Sequence, residues 1–410
     1  MSAFLYFSRS SHLHIPISSK YAFRFPFYLS LFAFFLTFFL LTPDIILAQQ
    51  NFQWRNFTRS GNDLSSNNIR TITEDQFGQI WLGTDKGLNR LDGFWREAGR
   101  SNGGPQETEI FKVLEDTAGF IWVAADTGVY RGVWDGSRGQ IDWLQHYTQG
   151  AGLTDIGVRV VTMIQDQNSG IWIGTPLGVN RFDGTVWHAV DGAEIGQLNQ
   201  GVQTIYEDRT GVLWFGLSQN NRRQSGNLIS RFDGVSWEIF SVNDGLPNGD
   251  VQTILEDNLG NLWVGTTAGV AIYDGAVWHV VTTQDRLLVG NNVQSIMSDR
   301  EGMIWVGTTA GISQFRLPAQ FSATTLHDLG RWRHLTRANG LASNNVQALF
   351  ETRIGEIWIG TRDNGVNFSD RSWKSITTDN GLSHNSVTAM LKDRRNRLWV
   401  GTRNGLSLHT

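Results

Sequence analysis

The chain contains no cysteine in 410 residues. Disulfides, thiolate catalysis and cysteine-built zinc sites are therefore excluded. Export remains open, because a chain of this length can bury a large core without covalent staples. Charge of one sign is also scarce, with a formal net charge of −4. Residues 1–48 hold Arg9, Lys20 and Arg24 against Asp44, a balance of +2, so residues 49–410 carry −6. A mildly acidic body lacks the basic face that displaces counterions from nucleic acid, and nucleic acid is not an expected partner. Helical periodicity is missing from residues 49–410, as is any second long apolar run, which excludes a two-pass membrane protein. Neither H-E-x-x-H nor G-x-S-x-G nor a glycine-rich nucleotide loop occurs. No cofactor and no metal ion is expected.

The apolar run that is present lies at the start. A basic region ends at Arg24, no charge occurs from Phe25 to Pro43, and Leu29–Leu41 is almost all Phe and Leu. Ile46-Leu47-Ala48 offers a small-residue cleavage site before Gln49. Residues 1–48 read as a secretory signal, with an uncleaved anchor over residues 25–47 as the alternative. The positive charges precede the apolar run, so both readings place residues 49–410 in the periplasm or outside the cell. Contact with a membrane is expected only through this first segment.

Tryptophan, by contrast, is abundant, and sixteen of the seventeen fall into two interleaved series of eight. The first sits in a W-x-G-T phrase at Trp81, Trp172, Trp263, Trp305, Trp358 and Trp399, with departures at Trp122, which reads Trp122-Val123-Ala124-Ala125, and at Trp214, whose phrase ends in Leu217. The second follows a short turn at Trp54, Trp95, Trp143, Trp187, Trp237, Trp278, Trp332 and Trp373, which leaves Trp134 over. Two series with one period mean a repeat architecture. Residues 248–281 show the unit. Val251–Glu256 predicts a first strand, Asp257–Gly260 a turn, Leu262–Gly265 a second strand and Val270–Tyr273 a third. Asp274-Gly275 then predicts a hairpin into a fourth strand, Trp278–Val281. Four short antiparallel strands per unit describe a propeller blade. A tryptophan suits the wedge between blades, and its indole N–H requires an acceptor there, either a carbonyl or an acid of the same or the adjacent unit.

An acid precedes the first-series tryptophan by six residues at Asp75, Asp116, Asp166, Asp208, Asp257, Asp299 and Asp393, with Thr352 the exception. Glycine precedes it by three except at Ser169 and Asn396. Long tryptophan spacings mark extra segments at Gly132–Gln140, Ser218–Asn227 and Leu317–Gly330. The body opens with a lone fourth strand, Trp54–Phe57, and closes after a third, Leu406–Leu408. Pairing them completes an all-β, eight-bladed propeller and removes both sheet edges. Seven blades plus an extra unit is the alternative, and would leave an apolar edge unpaired.

The phrase running from Asn243-Asp244-Gly245-Leu246 to Gly269-Val270, repeated from Asn380-Gly381-Leu382 to Gly405-Leu406, closely resembles the two-component regulator propeller repeat. The resemblance covers residues 52–410. In that family the repeats usually form the periplasmic sensor of hybrid histidine kinases, often as paired propellers followed by a β-sandwich, a membrane helix and a kinase. None of these follows Thr410, so the resemblance implies a ligand-sensing propeller without its own kinase, either free-standing or truncated. A separate sensor kinase or another protein is then an expected partner.

Candidate binding residues lie in the connections. Asn68, Asn248, Asn292, Asn345 and Asn385 lead into first strands, and their amides could ring the channel mouth and receive a glycan or another small hydroxylated ligand. The competing reading is that asparagine simply makes the turn. Arg70, Arg159, Gln203, Gln252, Gln294 and Gln347 form a second polar series just inside the strand. Arg222 and Arg223 add a basic loop on the same face. Of the seven histidines after residue 48, His188, His279 and His334 sit at a repeat position beside the outer tryptophan. One aspartate per blade is too dispersed to share an ion or a proton. No catalytic residue is expected. A protein-interaction scaffold and a lyase resembling the antibiotic-cleaving propellers are the alternatives to a ligand sensor.

Overall fold

The W-x-G-T phrases form strands with no exposed side chain: Ile80–Thr84, Ile171–Thr175, Leu262–Thr266, Ile357–Thr361 and Leu398–Thr402. Each is the second strand of a four-stranded antiparallel sheet, and there are eight such sheets. The structure is a computed structural model that describes residues 54–409 apart from 62–63, 92–94, 100–102, 149–152, 154–158, 191–200, 219–226, 352–354, 356, 365 and 370–372. The proposed signal or anchor, Arg222, Arg223 and Thr352 lie outside the described residues.

The blades begin at Ile69, Ile110, Thr162, Gly201, Val251, Val293, Val346 and Val387, numbered here 1 to 8. Blade 8 takes its outer strand from the other end of the chain. Trp54–Phe57 pairs antiparallel with Gly405–His409, placing Phe57 opposite Leu406. The ring is therefore eight-bladed, and the seven-blade alternative is excluded. First strands of successive blades adjoin one another around the ring, so they are innermost and line a central channel.

Packing between blades explains the invariant letters. Trp81, Trp122, Trp263 and Trp399 are fully buried. Trp399 meets Trp95 of blade 1 edge-on at 5.7 Å, Trp122 meets Trp187 of blade 3 at 6.0 Å, and Trp214 meets Trp278 of blade 5 at 6.3 Å. One series thus packs on the other across each of these wedges. At roughly 150–250 Å² of buried surface per ring, each contributes on the order of several kcal/mol. The W-x-G glycine lets the next blade approach. A Cβ on Gly265 would stand 2.6 Å from Val293 Cγ1 and 2.8 Å from Thr253 Cγ2. The following threonine ties the turn, since Thr266 Oγ1 donates to the Gly269 carbonyl at 2.9 Å and accepts the Ala268 N–H at 3.0 Å.

The acceptor for the indole is the acid of the same unit. Asp257 Oδ1 accepts the N–H groups of Leu259 and Asn261, and its Oδ2 accepts Trp263 Nε1–H at 2.8 Å. The indole bond recurs at Asp75, Asp116, Asp166, Asp208, Asp299 and Asp393. The turn glycine is left-handed, and the two substitutes keep that conformation, with φ of 66° at Ser169 and 68° at Asn396.

The extra segments resolve in different ways. Gly132–Gln140 forms no inserted loop. Its residues lengthen the third and fourth strands to Gly128–Asp135 and Gln140–Tyr147, because extending the ladder satisfies their backbone groups. Trp134 on this extension lies 3.1 Å from the Arg90 guanidinium, ring centroid to Cζ. Leu317–Gly330 belongs to blade 6, where Ala323–Leu326 makes one helical turn and the Leu326 carbonyl accepts Trp332 Nε1–H at 2.8 Å.

Candidate functional site

The two faces of the ring are built differently. The lower face carries the Asp turns and the third-to-fourth hairpins, whereas the upper face carries the second-to-third turns and the passages between blades. On the lower face the last residue of the first strand latches the preceding blade in six of the eight blades. Glu74 accepts the Arg394 N–H, Glu115 that of Gln76, Gln165 that of Thr117, Glu207 that of Gln167, Glu256 that of Arg209 and Glu351 that of Arg300. Desolvation raises the pKa of Glu115, Glu207 and Glu351. These groups hold the ring together and are committed to that task.

On the upper face the named asparagines occupy three levels. Asn68, Asn292 and Asn345 share one position, where each backbone carbonyl accepts the N–H that follows the W-x-G-T phrase, from Asp85, Thr309 and Arg362. All three are half-buried, and their side chains pair with Asp85, Gln294 and Gln347. Asn385 lies one residue earlier. Its Oδ1 accepts the Thr378 N–H at 2.7 Å and so caps the single turn Thr378–Asn380. Asn67, Asn291 and Asn344 do the same for Arg59, Thr283 and Arg337. Asn248 is two residues before the shared position, which Asp250 fills in blade 5, and it is exposed. Three of the five asparagines are thus brought to one level. Turn geometry accounts for Asn385.

Immediately inside this level seven of the eight first strands are bulged, blade 3 being the exception among the described pairings. The pairing skips one residue between Ile69 and Thr71, Ile110 and Lys112, Val202 and Thr204, Val251 and Thr253, Val293 and Ser295, Val346 and Ala348, and Val387 and Ala389. A bulge re-aims the side chain of the skipped residue. Here these are Arg70, Phe111, Gln203, Gln252, Gln294, Gln347 and Thr388, and Gln203 and Gln252 are exposed. Arg159, expected in this series, stands one position before it. The register opposite Gly174 makes Val161 the equivalent residue, because Thr162 pairs with Gly174 as Thr71 pairs with Gly83.

The mouth is consequently uneven. Blades 4 to 7 present amides. Blades 1 to 3 present Arg70, Glu109, Phe111 and Arg159. Glu109 pairs with Arg70 at 2.5 Å and with Arg159 at 3.8 Å, and the Arg159 guanidinium covers the Phe111 ring at 4.6 Å. Two cations thus share one carboxylate at an accessible rim. Below them, in the same first strand, is Lys112. Its side chain is exposed to the channel, and desolvation by the surrounding strands lowers its pKa from the ordinary 10.5. The repeat pattern obscured Glu109, Phe111 and Lys112, because their chemistry is visible only as departures from it. Elsewhere, His188 pairs with Asp183 and His279 with Asp274, both on third-to-fourth hairpins of the lower face. His146 stacks on Tyr130 at 3.8 Å. Among the described residues no cluster of three His, Cys, Asp or Glu side chains could hold a metal ion.

Known proteins bear on this architecture at two levels. The model for the two-component regulator propeller matches residues 63–86, 245–268, 287–310, 340–363 and 381–404, in blades 1, 5, 6, 7 and 8. No curated protein matches the chain by sequence. Among solved structures, PorZ, a surface component of the type-IX secretion system of Porphyromonas gingivalis, overlays with a TM-score of 0.55 at 16% identity, over 84% of this chain and 52% of PorZ. The extracellular domain of the hybrid two-component system BT3049 from B. thetaiotaomicron is 18% identical over 87% of this chain and 57% of that one, with a TM-score of 0.32. Virginiamycin B lyase from Staphylococcus aureus gives 0.50 at 14% identity, over 88% and 99%. The chain spans little more than half the length of the first two. At these identities the likeness establishes the propeller fold alone. Five of the eight units thus match the two-component regulator propeller repeat in sequence, and all eight are built on the same four-stranded blade.

Proposed function

We propose that this propeller is an extracytoplasmic recognition module of the two-component signalling type, which receives a small ligand at the upper mouth of its channel. The observation that carries the reading is the division of labour between the faces. Lower-face polar groups are consumed in latching blades together, while the bulges of the upper face turn one side chain per bulged blade toward the channel. Clustered amides, with Arg159 resting on an aromatic ring, suit a ligand rich in hydroxyls such as a carbohydrate fragment. The test is a thermal-shift screen with neutral and acidic oligosaccharides. Ligands that raise the melting temperature of the wild type should fail to do so for a Gln252→Ala, Gln294→Ala double variant. A screen that moves neither protein would sink the carbohydrate reading.

A protein-interaction scaffold is the second reading, favoured by one observation. Val186 and Val277 stand at the same hairpin position in blades 3 and 5, Val235 lies one residue earlier in the hairpin of blade 4, and Val235 is 91% exposed. Exposed valines repeated along one edge suit a protein partner. A stable complex lost on Val235→Asp, with no ligand found, would replace the sensor reading by this one.

A further inference from the structure

Lys112 follows the Phe111 bulge in the first strand of blade 2, paired opposite Ala124. The same position in five other blades carries a hydroxyl, at Thr71, Thr162, Thr204, Thr253 and Ser295, each opposite the W-x-G glycine. The threonine methyls turn to that glycine: a Cβ on Gly83 would meet Thr71 Cγ2 at 2.6 Å, and one on Gly174 would meet Thr162 Cγ2 at 2.7 Å. Their hydroxyls are therefore directed away from the glycine, and all five positions are partly exposed on a strand whose only open side is the channel. No hydrogen bond engages these hydroxyls among the described residues, and no carboxylate there pairs with Lys112. The lysine itself is exposed, although its neighbours Ile110 and Val113 are buried, so the solvent it meets is channel water. A cation walled in by protein without a counter-ion is costly. Arg70 and Arg159 stand above it, with only Glu109 between them. On the channel side Lys112, Arg70 and Arg159 face Glu109, while Asp85 and Asp126 are held further out by Asn68, Thr108 and the Glu109 N–H, so the positive excess that draws in anions is local to the inner strands.

We propose that the upper channel is an oxyanion site in which Lys112 is the counter-ion and the hydroxyls of Thr71 and Thr162, on the adjoining blades, donate to the bound group. The group is a carboxylate, phosphate or sulfate, free or carried on a larger hydroxylated ligand. The inference deepens the recognition proposed above and rests on the channel being the recognition site. It also accounts for a local anomaly: blade 2 has Ala124 where the other blades with a described register have glycine, and Lys112 lacks the branched methyl that would crowd an added Cβ.

The exported protein is titrated by calorimetry with inorganic phosphate and with acetate, each against chloride at matched ionic strength. The wild type binds at least one of them, Lys112→Gln weakens that binding at least tenfold, and Lys112→Arg stays within about threefold. Lys112→Met melts higher than the wild type in anion-free buffer, a readout that a merely structural lysine would not give. Equal affinity in wild type and Lys112→Gln overturns the site, as does absence of binding to the wild type. A neutral oligosaccharide bound equally by wild type and Lys112→Gln would also sink the oxyanion site, while leaving recognition at the mouth intact. Lys112-dependent phosphate binding without any oligosaccharide binding would support the oxyanion site and remove the carbohydrate reading.

Discussion

Blades 5 to 8 and blades 2 to 4 are the same fold written with different fidelity. The first arc matches the family repeat in every unit, and the second in none. Both arcs nevertheless make the same four-stranded sheets, and Asp116, Asp166 and Asp208 of the divergent arc bond their tryptophans just as Asp257, Asp299 and Asp393 do. The departures concentrate in blade 2, where Lys112 and Ala124 stand in place of the Thr and Gly that blades 3 and 4 keep at Thr162, Gly174, Thr204 and Gly216, and Glu109, Phe111 and Arg159 appear at the mouth. The fold therefore depends on a short list of positions, and chemistry accumulates where the repeat is free to drift.

The largest expected effect tests what the arcs share, which is closure. Deleting the first 58 residues removes Trp54–Phe57 and leaves the Gly405–His409 edge unpaired. An open apolar edge invites association, so size-exclusion chromatography should show aggregate or species larger than the full-length protein gives. Elution and melting equal to the wild type would show that closure contributes little.

Asp257→Ala should come next, at about 3 kcal/mol in urea unfolding, because it strands a buried indole N–H and two turn N–H groups. Asp208→Ala makes the parallel change in the divergent arc, where the Asp208–Trp214 pair is only part-buried, and should cost less. Equal losses would mean that the arcs do not differ in how tightly their turns are held.

Gly265→Ala drives a Cβ into Val293 and Thr253 and should cost about 1–3 kcal/mol. Thr253→Ser in the same chain removes one of the two clashing methyls and should recover part of that. In blade 2 the reverse exchange, Ala124→Gly, should cost no more than about 1 kcal/mol. A Gly265→Ala variant as stable as the wild type would show that the glycine is dispensable in the regular arc too.

The smallest effect is a slope. The unfolded chain keeps the Lys112 proton up to about its ordinary value of 10.5, whereas the folded channel releases it earlier. Between those two values the unfolded state binds more protons, so folding stability rises with pH. Melting curves in alkaline buffer should therefore show the advantage of Lys112→Gln over the wild type shrinking as pH climbs toward 10.5. An advantage that is independent of pH would show that the ammonium is well solvated.

Most of the architecture was legible because the repeat supplies eight readings of each position. Strand limits for blade 5 were expected within a residue of Val251–Glu256, Leu262–Thr266, Gly269–Tyr273 and Trp278–Val281. Closure by Trp54–Phe57 followed from counting strands. The candidate site was far less legible. Averaging across repeats favoured the asparagines, which recur because turns recur, and Asn385 proved to be a turn cap. It also hid the bulge, which carries no letter of its own and shifted Arg159 out of the series in which it was placed. Lys112 had no counterpart to be aligned with. Gly132–Gln140 read as surplus because spacing alone does not distinguish a loop from two longer strands.

The clasp in blade 8 imposes an order of events on the growing chain. Arg394 donates its N–H to Glu74 across 320 residues, and the last described strand is the partner of the first. Seven blades can assemble as they emerge, each from local hairpins, but the eighth must wait for nearly the whole polypeptide. Until then Trp54–Phe57 is a strand without a sheet, and the innermost strand of blade 1 has an uncovered flank. Non-local pairing of this kind is slow and leaves sticky surface exposed meanwhile. A ring whose first strand finds its partner only in the last described one is protected from association only once both have been released to pair.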